Sequence, residues 1–230
     1  MPLAPVNAEA ELYVIGAGGH GRELHAYIQD LRNAGWKGNL RGYLDDGLIP
    51  GQHGRLNVLG PINALAGSRR NEFPACYITA LGQNPLRREM VERLTAIYSE
   101  ADFFPWSLVH PLASVGEDVE TGAGTCIAPG AVVTANVTIG RHCILNVRAS
   151  ISHDCALGDF VNVNPAATVC GWVAIGDGAY IGAGAVVKDR VSIGAWSTIG
   201  AGAVVIHDIP PNVTAVGVPA RVIKSRSPLA

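Results

Sequence analysis

Two folds in succession are predicted for this chain: a small parallel α/β domain, then a parallel β-helix. Three observations carry that expectation. From Val109 to Val205 an aliphatic residue recurs at every sixth position, with Thr121 the single exception and no insertion shifting the register. The first hundred residues instead alternate short apolar strands with helical stretches. A glycine-rich turn, Gly16-Ala17-Gly18-Gly19-His20-Gly21, joins the first strand to the first helix.

Taken in order, Glu11–Ile15 reads as a short apolar strand running into that turn, and Arg22–Leu31 as the helix that follows. Leu40–Leu44 reads as a second strand ending at Asp45-Asp46-Gly47, with His53 in a loop beyond it. Cys76–Ala80 reads as a buried strand, followed by Gly82-Gln83-Asn84 and a helix over Pro85–Tyr98, where Pro85 suits a first helical turn. Asp102–Trp106 is one more strand or a connection. Strand–helix alternation implies a small parallel sheet, Rossmann-like in its first turn but too short for a two-lobed dinucleotide fold. The boundary falls near residues 104–110, giving domains over 1–106 and 107–211 and a tail over 212–230.

A period of six matches neither the helix nor simple alternation as a global rule. It fits a β-helix in which each hexapeptide supplies one short strand and one corner. The aliphatic residue points into the prism; the residue two places earlier (Ala131, Cys143, Ala149, Cys155, Ala167) is small or β-branched, as a tight interior requires. The rhythm stops at Pro210-Pro211, where the tail is expected to leave the prism from Asn212.

Apolar residues make up 48% of the 230-residue chain and the formal charge is −2, so a sizeable core is possible and no electrostatic case for nucleic acid arises. No signal peptide or membrane-crossing stretch is inferred. The five cysteines lack CxxC spacing and read as small buried hydrophobes in a reducing cytoplasm, not as disulfides or zinc ligands.

Two places can carry chemistry. Glycines let backbone approach an anion, and the N–H groups opening the next helix face it, so the first turn is a candidate phosphate cradle. Asp45 and Asp46 can accept hydrogen bonds from a ribose or base, or simply start a turn before Gly47. His20 lies inside this turn. His25, His53, His110, His142 (at an exposed corner) and His207 read as structural or surface residues. His153 sits two places after the core residue Ile151, at the start of a corner, with Asp154 beside it and Asn146 about one hexapeptide earlier. A histidine beside a carboxylate can be fixed in one tautomer and serve as a general base. A metal site lacks further ligands at useful spacing.

The hexapeptide array with Ser152-His153-Asp154-Cys155, the terminal Val216-Gly217-Val218-Pro219-Ala220 and the leading Gly-Ala-Gly-Gly-His-Gly resemble bacterial sugar acyltransferases of the left-handed β-helix class. More closely, the chain resembles nucleotide-sugar N-acetyltransferases acting on 4-amino-4,6-dideoxy sugars, as in bacillosamine and perosamine pathways; sialic acid O-acetyltransferases are similar too. The likeness includes Tyr43-Leu44-Asp45-Asp46 and Ala80-Leu81-Gly82-Gln83-Asn84. It implies a left-handed parallel β-helix, acetyl-CoA as co-substrate, no metal, a cytoplasmic homotrimer, and a nucleotide-linked amino sugar as acceptor. It places the general base on His153 and its orienting acid on Asp154. Nucleotide contacts fall on Gly16, Gly18, Gly19, His20, Asp45 and Asp46, and a polar residue beside the sugar on Asn146. Backbone of Gly171, Ala183 and Ala201 matches positions that hold the pantetheine arm. Where some relatives carry a second histidine near the acetyl group, this chain has Asn162, which can donate to the thioester oxygen but cannot titrate.

The implied reaction is direct transfer, with backbone N–H groups or Asn162 stabilising the oxyanion; Cys155 is kept as a minor nucleophile alternative. O-acetylation of a sugar hydroxyl is the second reading. A non-enzymatic scaffold or metal-dependent hydratase on the same helix is the third.

Overall fold

The computed structural model describes residues 11–66 and 75–227. The expectation of no leader segment rests partly on residues 1–10, and the end of the tail on 228–230; both lie outside the described residues. The chain divides into two compact units, one ending at Pro111 and the other beginning at Leu112.

In the first unit, β1 (Glu11–Ile15), β2 (Asn39–Leu44), β3 (Gly51–His53), β4 (Leu56–Gly60), β5 (Ala75–Thr79) and β6 (Phe103–Pro105) form one sheet in the order β3-β4-β2-β1-β5-β6. All pairings are parallel except β3 with β4. Every residue of β1 is buried, as expected of a central parallel strand covered on both faces. Helices α1 (Gly19–Asn33) and α2 (Asn84–Ile97) follow β1 and β5. Met90 and Leu94 of α2 join Tyr13, Ile15, Tyr77 and Phe103 in one apolar cluster. Chain order places β2 on one side of β1 and β5 on the other, so the strand order reverses at β1. In open parallel sheets, ligands bind in the crevice beyond the strand ends at that reversal. Here it is formed by the glycine-rich turn after β1 and the Ala80–Gln83 connection after β5.

The β3–β4 hairpin is not foreshadowed by the sequence pattern, and His53 lies on β3 rather than in a loop. Its sequence, Gly51-Gln52-His53-Gly54-Arg55, has neither apolar alternation nor a run of β-branched residues, so period-based reading finds nothing there.

The second unit is a parallel β-helix. Ile151 pairs with Val169 and Val169 with Val187, steps of 18 residues, so three hexapeptides make one coil. Three sheets result. The first runs from Ser114–Val115 to Val204–Val205, the second from Val119–Thr121 to Ser192–Ile193, and the third includes Cys126–Ile127, Ile144–Leu145, Asn162–Val163 and Tyr180–Ile181. Val133, Ile151, Val169 and Val187 stack in one interior column, none more than 1% exposed, with Ala131, Ala149, Ala167 and Ala185 beside them. Burying each aliphatic side chain stabilises the prism by about 1.5–3 kcal/mol. Thr121, the one break in the aliphatic series, still ends a strand.

The corners are built from left-handed backbone. Between the first and second sheets Asp118, Asn136, Asp154, Trp172 and Arg190 all have φ between 53° and 59°. Between the second and third sheets an aspartate ladder fastens successive coils: Arg141 N–H donates to Asp159 Oδ1 (2.6 Å) and Asp159 N–H to Asp177 Oδ1 (2.8 Å). His142, expected at an exposed corner, is instead 2% exposed and stacked on Phe160 with ring centroids 5.3 Å apart. A corner on a single coil would face solvent; one coil is 18 residues, so Phe160 falls directly beside it.

The tail does not leave the prism at Asn212. Val213–Val216 continues the third sheet, pairing in parallel with Thr198–Ile199, and Ala215 is wholly buried. Arg221–Ser225 then folds back antiparallel upon it. Asn212 takes a left-handed corner conformation (φ 58°), and the pairs Ile193–Ile209 and Ile199–Ala215 are 16 residues apart, so this last coil is two residues shorter than the others and the register continues through it.

Candidate functional site

Two groups of predicted residues lie one in each unit. In the first, Gly16 (φ +100°) turns the chain sharply, and a side chain there would press on Leu81 and the Ala80 carbonyl. Gly21 is required for a different reason. A Cβ would sit 2.6 Å from the Gly16 carbonyl oxygen, so the helix can approach the strand only without one. Gly18 has open space around it, and Gly19 meets only the tip of Arg22. Gly18 caps α1 with no side-chain hydrogen bond, and no acidic residue lies in the first turn. These first N–H groups and the positive end of the dipole suit an anion. His20 Nδ1 pairs with Glu23 Oε2 (2.8 Å), while its buried Nε2 has no hydrogen-bond partner among the described residues.

The two aspartates are engaged within the chain. Asp45 accepts from the N–H of Ala17 (2.8 Å) and of Gly47 (2.9 Å), tying the glycine-rich turn to the end of β2. Asp46 accepts from Ile62 N–H (2.9 Å) and Arg93 (2.6 Å); against the opposing effect of burial these bonds hold its carboxyl below the usual range. Arg87, which sequence reading passes over, is wholly buried and donates to the Leu81 carbonyl (2.8 Å), fixing the connection after β5.

In the second unit the corner after Ser150–Ile151 presents His153. Its Nδ1 lies 2.7 Å from Asp154 Oδ2, and its side chain is 48% exposed. Asn136, one coil earlier, donates to Asp154 Oδ1 (2.5 Å). The hydrogen bonds from Asn136 and His153 keep the Asp154 carboxyl below its usual range. With Asp154 ionised, Nδ1 of a neutral imidazole carries the proton and donates, leaving the Nε2 lone pair to accept one. Gly171, one coil later, lies directly beside the ring; a Cβ there would fall 2.7 Å from His153 Cε1. Trp172 meets the imidazole edge-to-face, with centroids 4.5 Å apart. Reading the sequence in steps of six misses Asn136 and Trp172. The step of 18 from Asp154 reaches both.

Cys155 is 2% exposed, its thiol donates to the Cys170 carbonyl (3.0 Å), and burial pushes its pKa up, which suits a packed side chain and not a nucleophile. Among the described residues no group of three or more His, Cys, Asp or Glu is placed to hold a metal ion, and no helix is long and apolar enough to cross a membrane.

The remaining predicted residues do not gather around His153. Asn162 is on the third sheet, nine residues and so half a coil further on, and is 3% exposed. Asn146, whose Oδ1 accepts from Val147 N–H (2.7 Å), starts the corner between the third and first sheets. Ala183 and Ala201 stack one coil apart at that same corner. One chain therefore displays these groups on different sides of its prism.

The family described as PglD N-terminal domain matches residues 11–94, and that described as bacterial transferase hexapeptide (six repeats) matches residues 173–207. The acetyltransferase domain of PglB from Neisseria gonorrhoeae FA1090 is 32% identical, with 93% of this chain and 99% of that one covered and a TM-score of 0.81. This chain belongs to that acetyltransferase family. A variant of perosamine N-acetyltransferase from Caulobacter crescentus, solved with CoA and GDP-perosamine, is 31% identical, covering 93% of this chain and 97% of that one at a TM-score of 0.82. The PglB domain has also been solved with acetyl coenzyme A. UDP-N-acetylbacillosamine N-acetyltransferase from Bacillus subtilis (strain 168) is 39% identical over 114 residues, 50% of this chain. That match spans about half (49%) of the Bacillus protein's length.

Proposed function

We propose that the chain transfers the acetyl group of acetyl-CoA to the free amine of a nucleotide-linked 4-amino-4,6-dideoxy sugar. The observation that carries this reading is the His153 corner: an imidazole held through Nδ1 by an ionised Asp154, its Nε2 free, on a solvent-facing edge of an acetyltransferase prism. The family's solved complexes with CoA, acetyl-CoA and GDP-perosamine support the two substrates.

In the reaction, the neutral sugar amine attacks the thioester carbonyl and His153 Nε2 takes the proton that the nitrogen sheds. The C–N bond forms, the C–S bond breaks, and the imidazolium returns the proton to the departing CoA thiolate. A neutral amine is a competent nucleophile, so no acyl-enzyme is needed. Gly171 is the donor assigned to the oxyanion: its N–H has no acceptor among the described residues and it stands beside the imidazole. Asn162, half a coil away, is not in reach of the same thioester as His153 of its own chain.

The first unit is assigned to the nucleotide, its phosphates resting on Gly16–Gly19 at the opening of α1 and its sugar-base portion near Asp45 and Asp46. Gly171 on one corner and Ala183 and Ala201 on another are assigned to one pantetheine arm, with Asn146 beside the sugar, and a second copy docked against the first would bring the two corners together, which is the support for a homotrimer. Five free thiols suit a reducing cytoplasm.

The test is an assay with acetyl-CoA and UDP-, GDP- and dTDP-linked 4-amino-4,6-dideoxy sugars, with product mass and NMR locating the new acetyl group. An N-acetylated sugar nucleotide is expected. Acetylation at a hydroxyl, or no transfer to any amine, would overturn the reading.

A further inference from the structure

We propose that Trp172 is a positioning residue that clamps the imidazole of His153, with Arg190 holding the indole in place. The inference rests on His153 acting as the base. An imidazole that is 48% exposed and tethered at one nitrogen is still free to swing about that hydrogen bond. Three features of the next coils remove that freedom. The absence of a Cβ at Gly171 admits the ring. The Trp172 indole then closes on it at 4.5 Å between centroids and 88° between planes. Trp172 N–H donates to the His153 carbonyl (3.1 Å), so the two backbones are in register as well.

Neither backbone preference nor core packing accounts for a tryptophan here. Trp172 sits at φ 56°, in a corner column whose other members include Asp118, Asn136 and Asp154, residue types that tolerate the left-handed region. Phe160 and Trp196 take the same left-handed conformation at other corners, so the backbone neither demands nor excludes an aromatic at this place. The side chain is 48% exposed, so it adds little to the core. Its fixed position comes instead from the following coil, where the Arg190 guanidinium carbon lies 4.2 Å from the indole centroid, a cation–π contact. Asp154 below, Trp172 above and Arg190 beyond it thus form one stack along a single corner, with the imidazole between the first two.

Steady-state kinetics of Trp172→Asn, Trp172→Phe and Arg190→Ala test the clamp, with His153→Ala as the reference. Asparagine suits the left-handed backbone, as Asn136 shows in the same column, so that variant removes the ring without straining the corner. Displacing a catalytic group by about 1 Å costs on the order of 10²-fold, so kcat of Trp172→Asn should fall about 10- to 100-fold with the KM for acetyl-CoA and the melting temperature little changed. Trp172→Phe should recover most of that loss, and Arg190→Ala should show a smaller fall of the same kind. Wild-type kcat in Trp172→Asn would overturn the clamp, as would a parallel fall in kcat and melting temperature that phenylalanine does not relieve. Normal activity in His153→Ala would instead overturn the general-base reading itself.

Discussion

Gly171 illustrates how a single missing methyl group can be functional. Its φ is not in the left-handed range, so backbone freedom does not explain it; the imidazole of His153 occupies the place a Cβ would take. Gly171→Ala should therefore push the ring aside and lower kcat by about 10-fold or more, since catalysis tolerates little misplacement, while leaving the melting temperature near wild type. Kinetics paired with thermal melts check this, and an alanine variant with normal kcat would show that the ring is not held where the structure places it. Asp154 supplies a pH prediction. Its carboxyl is held below its usual range, so the stabilisation it gives is present above the unfolded-state pKa of about 3.9 and is lost as pH falls through the lower folded value. Any difference in melting temperature between wild type and Asp154→Asn at neutral pH should disappear in strong acid. A difference that persists there would mean the carboxylate is not the source.

At the scale of elements, the period of six and the coil of 18 have different consequences. The hexapeptide puts Ile151 and its neighbours inside, and Ile151→Ala should leave a cavity in the column costing about 2–5 kcal/mol, read as a lower urea midpoint. The coil decides what each corner residue touches. The period of six alone leaves His142 exposed and His153 paired only with its sequence neighbour, because contacts such as His142–Phe160, Asp154–Asn136 and His153–Trp172 join residues about three hexapeptides apart. The repeat makes the prism legible, the glycine spacing makes the first turn legible, and Asp154 is visible because it is adjacent to His153. What stays hidden are features without a period of their own. The β3–β4 hairpin is too short and polar to show one, and the strand Val213–Val216 lies beyond a two-residue slip that breaks the count. In the first unit, Asp45 bridges β2 to the glycine-rich turn through Ala17 N–H. Asp45→Ala should loosen that turn and weaken binding of the sugar nucleotide while leaving acetyl-CoA affinity nearly unchanged, which separate calorimetric titrations would show. An equal loss for both ligands would defeat the assignment of nucleotide binding to this unit.

For the molecule as a whole, the proposed function divides between the two units the labour that a two-substrate transfer needs: anion binding at the α/β turn of one, proton acceptance on the rigid prism of the other. A β-helix has no deep cleft of its own, so its chemistry must be displayed on an edge, and the predicted pantetheine contacts on a different corner from His153 call for more than one copy. Sedimentation of the purified protein should accordingly report a trimer, and a monomer with full activity would contradict the shared site. The central claim remains that His153 is the general base. It is tested most directly by the turnover number of His153→Ala with acetyl-CoA and a nucleotide-linked amino sugar. The expected result is a fall of about 10²–10⁴-fold, the usual contribution of a positioned proton acceptor, with fold and CoA affinity retained. A folded His153→Ala protein turning over at the wild-type rate would contradict it.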